Sequence, residues 1–247
     1  MPPAKHPAKS PWSERANRAV YLAERNEGAR ELLRTYAKVA LFQEKVFADL
    51  AAWDTPNSGW CVSHYPPLLE LMKSLNLPAE EVDDIGKLIQ SAWRGDEIEG
   101  RKLFLAEALL QPYAEFFRSK AQVPVMSGGS SCPFCSARPI AALLRPEGDG
   151  AKRSLVCSRC SLEWNFRRIL CPSCGEEDKN KLLTFSSDHL PHVSVESCET
   201  CKVYLKAIDL GKDGLAVPFA DEIASVALDL WAVEQGFRKL KTNLLGL

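Results

Sequence analysis

Four Cys-x-x-Cys pairs lie between residues 132 and 201, and they constrain this chain more than any other feature. Cys132/Cys135, Cys157/Cys160, Cys171/Cys174 and Cys198/Cys201 use eight of the nine cysteines. Two cysteines three residues apart in a tight turn aim both sulfurs at one point, and a facing pair completes a tetrahedron. The stretches between the pairs repeat as well. Residues 140–144 read as a strand, Pro146-Glu-Gly-Asp-Gly150 as a turn, 153–156 as a strand into Cys157, and 162–166 as a strand out of Cys160. The second half gives 182–185, a turn near 188–191, 193–195 into Cys198, and 203–208 out of Cys201. Knuckle, strand, turn, strand, knuckle, strand is the order of a zinc ribbon or rubredoxin-type module, and it occurs twice. The repeat predicts sequential pairing: Cys132, Cys135, Cys157 and Cys160 on one metal ion, Cys171, Cys174, Cys198 and Cys201 on another.

An all-sulfur donor set selects iron or zinc, and residue type does not separate the two. Four disulfides, or redox dithiols, are the competing readings. Nothing in the chain reads as secreted, and four pairs in ribbon-like contexts fit metal better. Each module has about forty residues, too few to bury a sufficient core unaided. A metal ion must then contribute to folding, on the order of 10–16 kcal/mol in comparable zinc peptides. A structural role is the plainest one for such a site.

At 247 residues, 46% hydrophobic and 26% charged, the chain is long enough for two domains and a sizeable core. No apolar run approaches the ~18 residues of a membrane span. The opening Met1-Pro-Pro-Ala-Lys-His-Pro-Ala-Lys-Ser10 has no apolar core and no twin arginine, so no export signal is expected and the location reads as cytoplasmic. Formal net charge is −1. Two M²⁺(Cys⁻)₄ sites would take it to about −5, which disfavours sequence-independent nucleic-acid binding. Local charge differs: Arg138, Arg145, Lys152, Arg153, Arg159, Arg167 and Arg168 make the first module basic, while Glu176, Glu177, Asp178, Asp188, Glu196 and Glu199 make the second acidic.

Residues 13 to about 120 read as helices. Ser13 is the expected cap of a helix ending near Glu24, broken by Asn26-Glu-Gly28; a long second helix follows to about Ala52. Residues 54–67 read as a loop carrying Trp60, Cys61 and His64, a ligand pair being the lesser reading of the last two. Residues 67–75 read as a short helix, Pro78-Ala-Glu-Glu81 as the start of another, and 103–117 as the last, with Pro112 bending or breaking it. His189 and His192 flank a turn and read as surface residues. After a Gly211–Gly214 turn, a final helix follows Pro218, with Asp221 and Glu222 suited to its positive end and Ile223, Val226, Ala227, Leu230, Trp231 and Glu234 on one mostly apolar face. No P-loop, Gly-x-Ser-x-Gly, His-Glu-x-x-His or Gly-x-Gly-x-x-Gly occurs, so no enzyme is expected.

The fold class expected is therefore α+β: a helical bundle, two tandem rubredoxin- or zinc-ribbon-like modules and a C-terminal helix. The divisions are a tail over 1–12, a helical domain over 13–122, a linker over 123–131, ribbons over 132–170 and 171–210, and a helix with tail over 211–247.

From Cys132 onward the chain resembles the formate dehydrogenase accessory proteins of the FdhE type. The pieces that match are Cys132-Pro-x-Cys135 with Pro139, Cys157-x-x-Cys160-x-x-Glu163-Trp164, and Arg168-x-x-Cys171-x-x-Cys174. They continue through Cys198-Glu-x-Cys201-Lys-x-Tyr204-Leu-Lys206, Ala220-Asp221-x-x-Ala224-Ser225-x-Ala227-Leu228-Asp229, and Gly236-Phe237 with Asn243. Arg15 and Leu22-Ala23-Glu24 extend the likeness into the helices. Ser136 stands where a glycine would be expected, and Glu222 where an aspartate is usual. The resemblance implies a cytoplasmic assembly factor that binds the catalytic subunit of a respiratory formate dehydrogenase before its export, with rubredoxin-type iron at the Cys-x-x-Cys pairs. Two readings from other classes stay open: a zinc-ribbon nucleic-acid binder using the basic first module, and a rubredoxin-like electron-transfer protein.

Overall fold

Serine and proline set the first helix. In the computed structural model, which describes residues 10–51, 59–78, 82–98, 100–122 and 129–247, α1 (Pro11–Ala23) is capped by Ser10. Its Oγ accepts from the Ser13 amide at 3.1 Å, and Pro11 takes the first helical position, where a missing N–H costs nothing. The cap therefore lies three residues before Ser13. Asn26 breaks the chain as expected, accepting from the Ala29 amide at 3.2 Å, and α2 (Arg30–Ala51) follows.

The expected loop over 54–67 is partly helical: α3 (Gly59–Ser63) and α4 (Tyr65–Ser74) occupy it, with residues 52–58 outside the described ones. Trp60, fully buried and stacked on Tyr113 at 5.3 Å, is what draws this stretch onto the bundle. Pro66 and Pro67 sit in the first turn of α4, where a missing N–H costs nothing. α5 (Ile85–Arg94) starts later than Pro78, at the Asp84 cap, whose carboxylate accepts from the Lys87 amide at 3.0 Å.

α6 (Gly100–Lys120) runs through Pro112 without ending there. Proline leaves the carbonyl four residues back without its helical donor. Here that carbonyl, on Ala108, accepts from Gln43 Nε2 of α2 at 3.0 Å, so the orphan is satisfied from a neighbouring helix. No helix among the described residues is long and apolar enough to cross a membrane.

The cysteine region forms one mixed sheet. β1 (Pro139–Glu147), β2 (Gly150–Cys157) and β3 (Glu163–Asn165) belong to the first repeat, and β4 (Leu182–Ser186), β5 (Val193–Cys198) and β6 (Val203–Asp209) to the second. Strand order is β3-β2-β1-β6-β5-β4. Pairing is antiparallel within each repeat, and a parallel pair, Ala141 opposite Lys206 through Leu144 opposite Asp209, joins the two. The repeats are thus arranged head to tail. Side chains alternate across β1: Ala141 and Leu143 join the helical core, while Ala142 and Leu144 pack with Trp164, Phe166 and the first cysteine cluster on the other face.

The expected C-terminal helix is two helices, α7 (Pro218–Ala224) and α8 (Val226–Glu234), broken at Ser225. Ser225 Oγ donates to the carbonyls of Asp221 (2.9 Å) and Glu222 (3.0 Å), and Lys206 Nζ also takes the Glu222 carbonyl at 2.5 Å. Carbonyls held by side chains in this way bend a helix. The break rotates the expected apolar face, so that Ala232 is buried but Leu230 is 64% exposed. A short β7 (Arg238–Lys239) then runs parallel to β6.

Candidate metal centres

Each Cys-x-x-Cys pair closes a knuckle of one form. The amide of the first cysteine donates forward across the turn, Cys132 to Ala137, Cys157 to Leu162 and Cys171 to Glu176, each at 2.9 Å. The residue after the second cysteine is left-handed in all four: Ser136 (φ 58°), Ser161 (55°), Gly175 (78°) and Lys202 (54°). Such a conformation costs a non-glycine residue roughly 1–2 kcal/mol, so three knuckles store strain and Gly175 avoids it. The conformation aims both sulfurs and several amides inward. The Arg159 and Cys160 amides donate to Cys157 Sγ, and the Ser173 amide to Cys171 Sγ, all at 3.4 Å.

The sulfurs gather in two sets, Cys132/Cys135/Cys157/Cys160 and Cys171/Cys174/Cys198/Cys201, each within 4.8 Å. Neighbouring sulfurs lie 3.4–3.6 Å apart in the first and 3.7–3.8 Å apart in the second. These separations exclude disulfides, which need about 2.05 Å. They match the ~3.8 Å edge of a tetrahedron with 2.3 Å metal–sulfur bonds. Burial pushes the Cys157 thiol well above its ordinary range and raises Cys171 to about 12. A cation is what allows thiols raised in this way to ionise beside neighbouring thiolates. The two clusters can hold two metal ions.

Their surroundings differ. All four cysteines of the first set are buried, whereas Cys174 is exposed and Cys201 half-buried in the second. The second knuckle of the first set is embedded in the helices. Gln111 Nε2 of α6 donates to the Ser158 carbonyl at 3.0 Å. Arg159 reaches Glu107 at 2.9 and 3.3 Å and the Ala92 carbonyl at 2.7 Å. Burial opposes the Arg159 charge, but Glu107, helped by Cys135 and Cys157, outweighs it and raises its pKa. Ser161 donates to Glu115 and accepts from Arg15 at 2.7 Å, and Arg15 pairs with Glu115 at 2.8 Å. The second cluster is held by β7, whose Arg238 amide donates to the Lys202 carbonyl at 2.8 Å, and by surface contacts such as Thr200 on Glu176 at 2.5 Å, which draws Glu176 down to about 2.

A buried polar network lies under the second repeat, and sequence reasoning missed it. Lys206, with no exposed side-chain surface, pairs with Glu222 at 2.9 Å and Asp229 at 2.6 Å. Lys239 reaches both carboxylates, Tyr204 donates to Asp229 at 2.8 Å, and Asn243 donates to Glu222 at 2.7 Å. Burial alone would raise the Glu222 pKa, yet Lys206 and Lys239 pull it below its ordinary value. Asp221, also fully buried, accepts the Val217 amide at the start of α7 at 2.6 Å and in addition takes Arg18 at 2.6 and 3.0 Å and His192 at 2.8 Å. His192 is thus buried and not a surface residue, while His189 is exposed. The available signal was the non-cysteine part of the sequence pattern: Tyr204, Lys206, Asp221, Asp229 and Asn243 all belong to it. His64 stacks on Trp60 at 5.0 Å and bonds Asp49 at 3.1 Å; the side chain of Cys61 lies outside the described atoms.

A helical domain docked on one sheet that carries two four-sulfur knuckle clusters defines the class, a tandem four-cysteine ribbon protein. The family models of the FdhE central domain and the FdhE C-terminal domain match residues 131–168 and 169–245, so that each holds one cluster. Over residues 131–245 the chain is of the FdhE family. A protein FdhE homolog of Aquifex aeolicus is 35% identical over 173 residues, 69% of this chain and 61% of that protein. One from Haemophilus influenzae is 34% identical over 112 residues (45% and 37%), and one from Pseudomonas aeruginosa 36% over 119 residues (46% and 38%). These alignments span less than two thirds of the relatives' length. The crystal structure of the FdhE protein from Pseudomonas aeruginosa superposes with a TM-score of 0.71 at 23% identity, covering 97% of this chain and 96% of that one, and shows the same fold.

Proposed function

We propose that this chain is a cytoplasmic assembly factor that binds the catalytic subunit of a respiratory formate dehydrogenase and catalyses no reaction of its own. The observation that carries this reading is the pair of four-sulfur clusters, one inside each matched FdhE domain. In this proposal Cys132, Cys135, Cys157 and Cys160 hold one iron or zinc ion, and Cys171, Cys174, Cys198 and Cys201 the other. When bound, the metal ties two knuckles together and, if it is iron, adds a one-electron couple. With four protein ligands there is no position for the activated water that hydrolytic metal catalysis requires. What the protein's own residues supply is rigidity: amides that donate to sulfur, and side chains that pin the first cluster to the helices.

The charge pattern weighs against the nucleic-acid reading. Arg145, Arg153, Arg159 and Arg167 of the basic first module are each tied to a carboxylate, Glu163, Glu196, Glu107 and Glu177 respectively. Affinity capture of the tagged chain from anaerobically grown cells, with mass spectrometry, tests the proposal. Recovery of a formate dehydrogenase catalytic subunit supports it; recovery of nucleic acid or unrelated redox enzymes without that subunit refutes it.

A further inference from the structure

A cavity of about 660 Å³ lies where α2, α4 and α6 meet the C-terminal residues 241–246 and the knuckle of Cys157 and Cys160. That is the size range of small-molecule sites. Its body is apolar, formed by Leu32, Met72, Leu77, Phe104 and Leu245. Its polar groups divide into committed and uncommitted ones, and that division says what would fit.

Gln111 spends its amide on Ser158 and Gln43. Asn243 donates to Glu222 and accepts the Leu245 and Leu247 amides. Glu107 is neutralised by the two-point contact from Arg159, and Glu31 at the rim pairs with Arg34 at 3.1 Å. Besides the hydroxyls of Thr35 and Thr242, three groups remain. Lys241 lies 3.9 Å from an already satisfied Glu107, and the exposed Arg101 has no carboxylate partner among the described residues. Ser158 is 5% exposed, with both backbone groups bonded, yet its Oγ has no hydrogen-bond partner. A buried hydroxyl left in that state is costly unless something supplies a partner. Two spare cations and one orphaned hydroxyl around an apolar chamber are complementary to one kind of molecule.

We infer that this cavity is a binding site for a small amphipathic carboxylate, its apolar body against Leu32, Met72 and Phe104 and its anionic end held by Lys241 and Ser158, with the exposed Arg101 at the rim. The inference is separate from the proposed client and from metal binding. Ser158 stands between Cys157 and Arg159, so the bound anion would touch the backbone of the first cluster's knuckle. The site thereby places a ligand beside the joint between helices and sheet.

The test is calorimetric titration of the full-length, metal-loaded chain with octanoate and, as its neutral counterpart, 1-octanol. Octanoate is expected to bind saturably, one per chain. Lys241→Ala should weaken it about tenfold or more, the scale of a charge-assisted hydrogen bond, while changing 1-octanol binding less than about twofold. Leu32→Trp fills the chamber and should abolish both. Met72 offers a second reading in the unaltered protein, independent of how that variant folds. With methyl-¹³C methionine, the Met72 signal should shift saturably with octanoate and those of Met1 and Met126 should stay. No saturable binding, an unshifted Met72 signal, or octanoate affinity unchanged by Lys241→Ala would overturn the inference.

Discussion

The two cysteine clusters share one local grammar and live in different surroundings. Both are built from Cys-x-x-Cys knuckles with a left-handed residue after the second cysteine. The first is buried and gripped from the helices by Gln111, Glu107, Glu115 and Arg15, through three residues of one knuckle, Ser158, Arg159 and Ser161. The second sits beside it at the same end of the sheet, under β5 and β6, with Cys174 exposed and no such set of helix side chains on it among the described residues. Spacing therefore fixes what a knuckle can coordinate, while the neighbours fix what its loss would disturb. The first cluster is a joint between two parts of the molecule. The second is local.

The sharpest way to break this comparison is to remove one ligand from each cluster. Cys157→Ser should cost one metal ion, loosen the helix–sheet joint, and lower thermal stability by far more than Cys174→Ser. Each loss draws on the ~10–16 kcal/mol that such sites can contribute, but only the first removes support from the helices. Metal content and melting curves of both variants check this; equal loss of helical signal would erase the distinction.

The buried network comes next in size. Lys206→Met leaves two buried carboxylates sharing the charge of Lys239 and should destabilise the chain by about 3–5 kcal/mol in denaturant titration. The network also sets a pH dependence. Glu222 has a lowered folded pKa, so its contribution is present above the unfolded value, about 4.3, and is lost as pH falls through the folded value. Stability should decline below about pH 4.5, and Glu222→Gln should flatten that decline while lowering stability at neutral pH; an unchanged acid limb would contradict the assignment.

The smallest effect expected is at the knuckles. Ser136→Gly relieves a left-handed serine and should stabilise by about 1 kcal/mol, whereas Gly175→Ala should destabilise by a similar amount. Melting temperatures of the two variants moving in the same direction would show that backbone strain does not govern these turns.

Much of this was legible because it is local. Cysteine spacing, strand-like runs and turn residues named both modules and the strands between them, since a knuckle is specified by five or six consecutive residues. What escaped depends on distant partners. Pro112 reads as a helix break until Gln43, far away in sequence, takes the carbonyl it frees. Asp221 reads as a helix-end acid and does accept the Val217 amide, but its further partner Arg18, like Lys206 and Lys239 on Glu222, is invisible in one dimension. The helix break at Ser225 and the burial of His192 have the same origin. The parallel pairing of β1 with β6 joins strands some sixty residues apart, with no turn between them to announce it.

The most direct test of the joint is hydrogen exchange during stepwise chelation of the metal-loaded chain. The exposed second cluster should release its metal first, with protection lost only around residues 171–205. Loss of the first metal should then expose amides of α6 and α1 along with those of the first repeat. Contradiction would be α6 retaining full protection after both metals have left, or both repeats and the helices losing protection in a single step.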